Sequence, residues 1–496
     1  MNREKTTALH SRYNPQGEAE RYINSLSLNE KTRFFILIEP GLGYMVAPLR
    51  KKVPGAKVIV LHAEEPACPS IEAPDSQWYP ETGISVQDFL EAEIPDSEAS
   101  DVRLLEWRPA LSVYGKTYLN LVEETTAFIK RTDANARTLS AFGPRWFKNF
   151  FRNLGLIREV ICPTPENFLP FPVPFLVTGA GPGLENAISE IREEPLRQNI
   201  FILAAASSQT ALKAQGIFPN LLIATDGSNW AKFHLFEFFR DTTAKEICPI
   251  AAAMTAALPS QCGTLPVLPI IDGSFWQALI LKELEIPFIA LPQRGTVTAT
   301  ALDLAFALTK EDIHIAGMDL ANRDIRSHAR PYSFDRFLEE KEQRINPVYS
   351  QSYKRSSSLK DGGSYGIYAS WFKKQLSLYP RPVHAMGDNN PVFDSLKTVG
   401  SLVPGPASKM PTEPQNRQAN VMQNFNTVSL DLGKNPARKA YFLLENAMKD
   451  PVHGEIVQKE LRSLLLPGKK AAHMSDLPDA INALIGFSPK ENDAHR

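Results

Sequence analysis

The chain has 496 residues, more than one hydrophobic core usually serves, so two or three domains are expected. A hydrophobic fraction of 43% and a charged fraction of 22% are those of a globular protein and argue against disorder in the bulk of the chain. With 54 basic and 55 acidic residues the net charge is −1, which excludes a global electrostatic pull toward nucleic acid or an anionic membrane.

In chain order, Met1 to Gly17 is polar and has no apolar core of the kind a secretory signal carries. A polar helix is expected around Glu18 to Ser27, followed by the apolar strand Phe34 to Ile38 and the stop Glu39-Pro40-Gly41-Leu42-Gly43. A helical stretch and a second strand, Ala56 to Leu61, complete a βαβ pattern, and a helix over Thr117 to Arg131 closes the part. Residues 1–160 are expected to form an N-terminal Rossmann-like α/β domain.

Pro163, Pro165, Pro170, Pro172 and Pro174 then make a stretch that cannot be helix and reads as a semi-rigid connector. Beyond it the alternation strengthens. Strands are expected over Phe175 to Thr178, Ile200 to Ala204, Leu221 to Thr225, Val267 to Ile271, Phe288 to Leu291 and Ile313 to Gly317. The clearest helix between them is Thr296 to Leu308, with Val297, Ala301, Leu304, Ala305 and Leu308 on one face. Short apolar strands alternating with helices predict a doubly wound, mostly parallel sheet covered on both faces over 161–400. The apolar run Ile247 to Leu258, broken by Pro249, is too short to span a membrane and reads as buried core. Residues 401–434 are expected to be linker or mobile loop, since Ser401 to Asn424 is rich in Pro, Gly, Ser, Asn and Gln, and 435–496 a small helical domain.

Cys68, Cys162, Cys248 and Cys262 are widely spaced, without a C-x-x-C pair or zinc-ligand spacing, and read as reduced structural thiols. The expectation is a cytoplasmic protein with no membrane span, no nucleic-acid partner and no structural metal.

The strongest local signal is Thr178-Gly179-Ala180-Gly181-Pro182-Gly183-Leu184, directly after a strand and before a helix. Gly179, Gly181 and Gly183 allow a tight turn and close backbone approach, and Pro182 suits the first turn of the helix. The N–H groups and positive dipole end beyond them suit a phosphate. Read blandly, the segment is a tight βα turn without a ligand. The second signal is positional: Asp226-Gly227-Ser228, Asp272-Gly273-Ser274, Arg294-Gly295-Thr296 and Asp319 each follow a strand, where open α/β sheets bind ligands. Asp226 and Asp272 could equally cap helices or close Asx turns, and Thr296 could be an N-cap. His328, in the polar segment Arg326-Ser327-His328-Ala329-Arg330, could serve as a general base on an acceptor hydroxyl. His314 lies inside an apolar strand and reads as core, and Asp388 in Gly387-Asp388-Asn389 as a turn or cap residue. There is no G-x-S-x-G elbow and no H-E-x-x-H helix.

The stretch from Phe175 to about Leu396 resembles the central domain of the motility-associated factor (Maf) glycosyltransferase-like proteins, a domain related to the archaeal 6-hydroxymethylpterin diphosphokinases. The likeness is carried by Gly179-Ala180-Gly181-Pro182, by Gly216-Ile217-Phe218-Pro219-Asn220 leading to Asp226, and by Arg294-Gly295-Thr296-Val297. It continues in Ile315-Ala316-Gly317-Met318-Asp319-Leu320-Ala321 with His328, and in Tyr368-Ala369-Ser370-Trp371. The resemblance implies a sialyltransferase-like central fold and transfer of a nonulosonic acid from a CMP donor to flagellin serines or threonines. It further implies that Gly179 to Gly183 hold the donor phosphate and nucleotide, that Asp226 and Thr296 line the donor pocket, and that Asp319 and His328 lie near the reacting centre. Where that family carries Ser, two acidic residues and Gln, this chain has Gly183, Ala206-Ser207-Ser208, Asn220 and Met318. Fewer carboxylates argue against a Mg²⁺-dependent diphosphokinase, although a Mg²⁺ requirement stays open. Pyrophosphoryl transfer to a pterin-like alcohol and a non-catalytic flagellar assembly factor are the alternatives.

Overall fold

The computed structural model describes residues 9–29, 32–66, 70–94, 101–162, 171–192, 200–240, 247–292, 294–323, 325–359, 364–376, 378–386, 425–466 and 476–485. Cys68, Pro163, Pro165, Pro170, Asp388 and the expected loop Ser401 to Asn424 lie outside them. The chain divides into two compact units, residues 1–144 with 458–486, and residues 145–457 with 487–496. The division cuts inside the helix Pro109–Leu156, at Pro144. The residues expected as a separate helical appendix do not form a unit of their own: Pro436–Lys449 belongs to the second unit and Asp476–Ile485 to the first.

The first unit holds a four-stranded parallel sheet of β1 (Phe34–Ile38), β2 (Lys57–Leu61), β3 (Ser76–Trp78) and β4 (Val102–Glu106), in the order β3-β2-β1-β4. Every residue of β1 is buried, which is why an unbroken apolar run was needed there. β1 and β2 stand where the sequence predicts them. β3 (Ser-Gln-Trp) and β4 (Val-Arg-Leu-Leu-Glu) are interrupted by polar residues and have no continuous apolar signature. Next to β1, the Glu39 carboxylate is buried and accepts the Ala63 N–H at 2.7 Å, with His62 Nδ1 3.5 Å away.

The second unit is built on a larger sheet. Its strands are β5 (Glu159–Ile161), β6 (Phe175–Thr178), β7 (Phe201–Ala205), β8 (Leu221–Ala224), β9 (Ile250–Ala253), β10 (Pro266–Ile271), β11 (Ile289–Ala290), β12 (Ile313–Ala316), β13 (Val383–Ala385) and β14 (Thr427–Ser429). The order is β13-β12-β6-β7-β8-β9-β10-β5-β14, with β11 also beside β10. All pairings are parallel except β14 against β5. This is the doubly wound, mostly parallel sheet that the alternation predicts. β9 lies within the run expected only as core, and β14 lies within the expected linker.

Phe171, Phe175 and Phe201 form the aromatic centre of the core, with the Phe175 and Phe201 rings stacked 4.3 Å apart. The helix Val297–Leu308 lays its buried face (Ala301, Leu304, Ala305, Leu308) against β6, β7 and β8. It begins at Thr296, whose side chain accepts the Ala299 N–H at 3.2 Å, the N-cap that the sequence allowed for.

His314 sits in β12 opposite His384 of β13, 4% exposed, and its Nε2 has no hydrogen-bond partner. Burial, and secondarily the His384 ring 5.3 Å away, push its pKa down to about 4 against the weaker opposing pull of Asp312. The folded protein therefore binds the His314 proton less readily than the unfolded chain does. Stability from the neutral ring is complete above pH 6.5 and is lost as pH falls toward 4. Between pH 7 and 5 this group should remove about 2 kcal/mol of stability. Denaturant unfolding of wild type and His314→Val across that window should show a shallower pH dependence in the variant; equal slopes would contradict the assignment.

Candidate active site

The strand order reverses beside β6. β7 to β10 follow on one side in sequence, while β12 returns to pair on the other, with Ala316 opposite Thr178. Such a switch point opens a crevice at the carboxyl ends of the strands. Here the loops after β6 and β12 close on each other. The Gly179 N–H donates to Ala316 O at 2.8 Å and the Gly181 N–H to Gly317 O at 2.7 Å. Gly317 adopts φ +65°, and a side chain there would run into the Gly179 carbonyl. Leu320, a bulky residue, also holds a positive φ of 47°, the kind of backbone strain that clusters at ligand sites.

Asp319, 9% exposed, lies beneath the glycine loop. One carboxylate oxygen accepts the Gly183 N–H at 2.8 Å, at the start of the helix Leu184–Arg192. A Cβ at Gly181 or Gly183 would collide with this carboxylate, so both glycines are set by Asp319. Burial pushes the Asp319 pKa up, opposed by the Gly183 hydrogen bond. The sequence placed a ligand phosphate at this helix end. In the structure the N–H groups of Gly179, Gly181, Gly183 and Leu184 donate within the protein, and the acceptor at Gly183 is the Asp319 carboxyl group. A buried carboxylate meets the same unsatisfied N–H group and dipole that a phosphate would.

The segment carrying His328 is fastened to the same helix start. The Ala329 N–H donates to Ala180 O at 2.8 Å, Arg326 binds both oxygens of Glu185 at 3.0 and 3.1 Å, and the Arg330 N–H reaches Glu185 at 2.9 Å. His328 is half-buried, its ring stacked on Tyr332 at 4.0 Å and its Nδ1 2.8 Å from Ser327 Oγ. Gly181, Asp319 and His328, expected from sequence to act together, thus flank one loop.

The other wall comes from β8 and the helix Val297–Leu308. Asp226 is exposed and closes an Asx turn, its Oδ1 accepting the Ser228 N–H at 2.7 Å and its Oδ2 the Ser228 hydroxyl at 3.1 Å. Tyr368, on the helix Ser364–Leu376, packs its ring on Gly295, where a Cβ would approach to 2.9 Å. Burial raises the Tyr368 pKa, and the charge of Asp226 raises it further, so the hydroxyl stays protonated beside that carboxylate. Thr298 Oγ1 stands where it would lie 3.1 Å from a Cβ on Gly179. Thr296, Asp226, Gly227 and Ser228 therefore belong to this wall. Asp272 does not. It follows β10, four strand spacings or ~19 Å from β6. Its carboxylate accepts the Ser274 N–H and hydroxyl and the Gln277 amide, holding the start of the helix Phe275–Glu283. A strand end gives the edge of the sheet but not the position along it.

Sequence reasoning missed Asn149 and Asn153, assigned to an N-terminal domain ending at 160. Both are buried in the second unit. Asn149 donates to the carbonyls of Gly227 (3.1 Å) and Thr255 (2.9 Å), and Asn153 to those of Met254 and Ala256, both 2.9 Å. Trp146 fills the space above Gly227. Polar residues at i and i+4 in an aromatic helix, with Trp146 at i−3, were the available signal.

A cavity of about 530 Å³ lined by Gly155, Arg158 and Leu430 to Ala437 opens at the amino-terminal edge of β5, and none of the expected site residues lines it. Among the described residues, no three His, Cys, Asp or Glu side chains gather as a metal-binding group.

Gly183→Ala should destabilise by about 1–3 kcal/mol through overpacking. Asp319→Ala should cost about 1–2 kcal/mol by leaving the Gly183 N–H without its acceptor. Because the second change empties the space the first needs, the double variant should be clearly more stable than the sum of the two losses implies, as urea unfolding would show. Strict additivity would mean that Asp319 does not set Gly183.

Residues 148–324 match the family model of the 6-hydroxymethylpterin diphosphokinase MptE-like proteins. A Treponema pallidum (strain Nichols) protein of uncharacterised function is 27% identical over 297 residues, which are 59% of this chain and 61% of that protein. The chain thus spans about three-fifths of the length of this curated relative. The solved structure of the Maf glycosyltransferase from Magnetospirillum magneticum AMB-1 superposes with a TM-score of 0.50 at 12% identity, covering 95% of this chain and 83% of that one. In the described residues no helix is long and apolar enough to cross a membrane. Residues 148–324 are therefore similar to the MptE-like domain, within a chain whose fold is similar to that of the Maf glycosyltransferase.

Proposed function

We propose that the protein is a cytoplasmic glycosyltransferase that moves a sialic-acid-like (nonulosonic) sugar from a CMP donor to serine or threonine hydroxyls of flagellin. The observation that carries this reading is the meeting of the loops after β6 and β12, which fastens the half-buried His328 beside the glycine loop, with Thr298 next to Gly179 and Asp226 at the end of β8, two strands along the sheet. The Maf glycosyltransferase fold supports it.

In the proposed reaction the acceptor hydroxyl oxygen attacks the anomeric carbon as the bond from that carbon to the CMP phosphate oxygen breaks. The phosphate leaves with the bonding pair, and the hydroxyl proton passes to His328. The Ser327 Oγ contact at Nδ1 is compatible with the tautomer that donates Nδ1–H and keeps the lone pair on Nε2, the one a base requires, and the stack on Tyr332 fixes the ring plane. Asp319 acts as a positioning residue: it holds the glycine loop closed against the Gly317 turn and does not meet the donor. The donor phosphate then rests against the hydroxyls of Thr296 and Thr298.

The family match favours a second reading, pyrophosphoryl transfer to a pterin-like alcohol. Melting curves of the full chain with CMP or ATP, each with and without Mg²⁺, separate the two. Saturation at a hundred times Kd stabilises by about 2.7 kcal/mol. A CMP response independent of Mg²⁺ is expected, whereas a response to ATP alone that needs Mg²⁺ would replace this reading by the second. His328→Ala should lower sugar transfer about 10²- to 10⁴-fold without weakening CMP binding; an unchanged rate would remove His328 from the mechanism.

A further inference from the structure

Trp230 is the middle residue of the turn Asn229–Ala231, four positions beyond Asp226, and is 55% exposed. An indole is costly to leave in water, and this one is not loose. Its ring stacks on Phe233 at 5.6 Å and 25°, and meets the edge of Phe337 at 5.5 Å. Phe233 and Phe337 are themselves packed on Phe334, which is followed inward by Tyr332 and the His328 ring. A row of aromatic rings therefore runs from the candidate base to a rigid indole left open at the crevice mouth. Such a backed, exposed π-face suits stacking of a planar ring.

The adjoining Asp226 gives that ring an identity. Its two carboxylate oxygens offer about four acceptor positions, of which the Ser228 N–H and hydroxyl take two. The exposed remainder accepts hydrogen bonds and cannot donate them. β8 lies two strand spacings, ~10 Å, from β6, so a nucleotide with its phosphate end at the β6–β12 crevice brings its base to the Asp226–Trp230 turn. We infer that Trp230 is the stacking platform for the nucleobase of the donor, and that Asp226 selects a base bearing an amino group over uracil. The inference rests on the nucleotide-donor reading above and adds to it the means of base selection.

Calorimetric titration of the full chain with CMP and with UMP tests it, in wild type, Trp230→Ala, Trp230→Phe and Asp226→Asn, each first shown to melt as wild type does. Wild type should bind CMP at least tenfold more tightly than UMP. Trp230→Ala should weaken both nucleotides about five- to a hundredfold, with most of the loss restored by Trp230→Phe. Asp226→Asn should bring the CMP-to-UMP ratio close to one. Unchanged CMP affinity in Trp230→Ala overturns the platform, even if that variant fails in transfer to a protein acceptor, which would assign the aromatic row to the acceptor instead. Equal CMP and UMP binding in wild type overturns the role of Asp226. Failure of wild type to bind either nucleotide would overturn the donor reading itself, and this inference with it.

Discussion

The hydrogen bond from the Gly183 N–H to the Asp319 carboxylate holds the two halves of the switch point together. It joins the loop after β6 to the loop after β12, strands that are neighbours in the sheet but separated in sequence by the whole β7-to-β11 excursion. Around it the Gly179–Ala316 and Gly181–Gly317 backbone bonds align, and the glycines that permit them are fixed by the carboxylate beneath. The helix start secured in this way is what Arg326 and the Arg330 N–H grip through Glu185, so His328 inherits its place from the same contact. A buried, partly desolvated carboxylate is expensive. Here the cost is offset by a backbone donor with a helix dipole behind it and by the ordering of two loops.

The arrangement also divides labour within the crevice. On the β6–β12 side the N–H groups of Gly179, Gly181, Gly183 and Leu184 are spent inside the protein. The β8 side is open: Asp226 is exposed, Tyr368 covers Gly295, and the aromatic residues after Asp226 extend outward. The interlocking contacts of Asp319 and Glu185 are concentrated on the first side and the exposed side chains on the second. Asn149 and Asn153 support the second side from behind by holding the carbonyls of Gly227, Met254, Thr255 and Ala256.

Much of this was legible in the sequence where one local signal sufficed. Phe175–Thr178 and Phe34–Ile38 are apolar runs ended by glycine turns, and they are strands to the residue. Thr296 announced a helix start and is one. What stayed hidden depended on strand order or on chemistry shared between distant segments. Asp226 and Asp272 are followed by the same Gly-Ser pair, yet only the first reaches the switch point, because β8 and β10 differ in their distance from β6. Gly183 read as a phosphate contact because nothing near it in sequence reveals that Asp319 arrives there first. β9 was hidden by its three alanines, which pack in a central strand without the β-branched signature.

The division at Pro144 returns at the other end of the chain. Residues 458–486 return to the first unit and 487–496 to the second, so the two units alternate along the chain. During synthesis the ribosome must deliver the whole ten-stranded sheet before the helix Asp476–Ile485, with its buried Leu477 and Ile481, exists to complete the first unit. The unit whose strands emerge first is thus completed only after that sheet, and no single cut in the chain releases either unit whole.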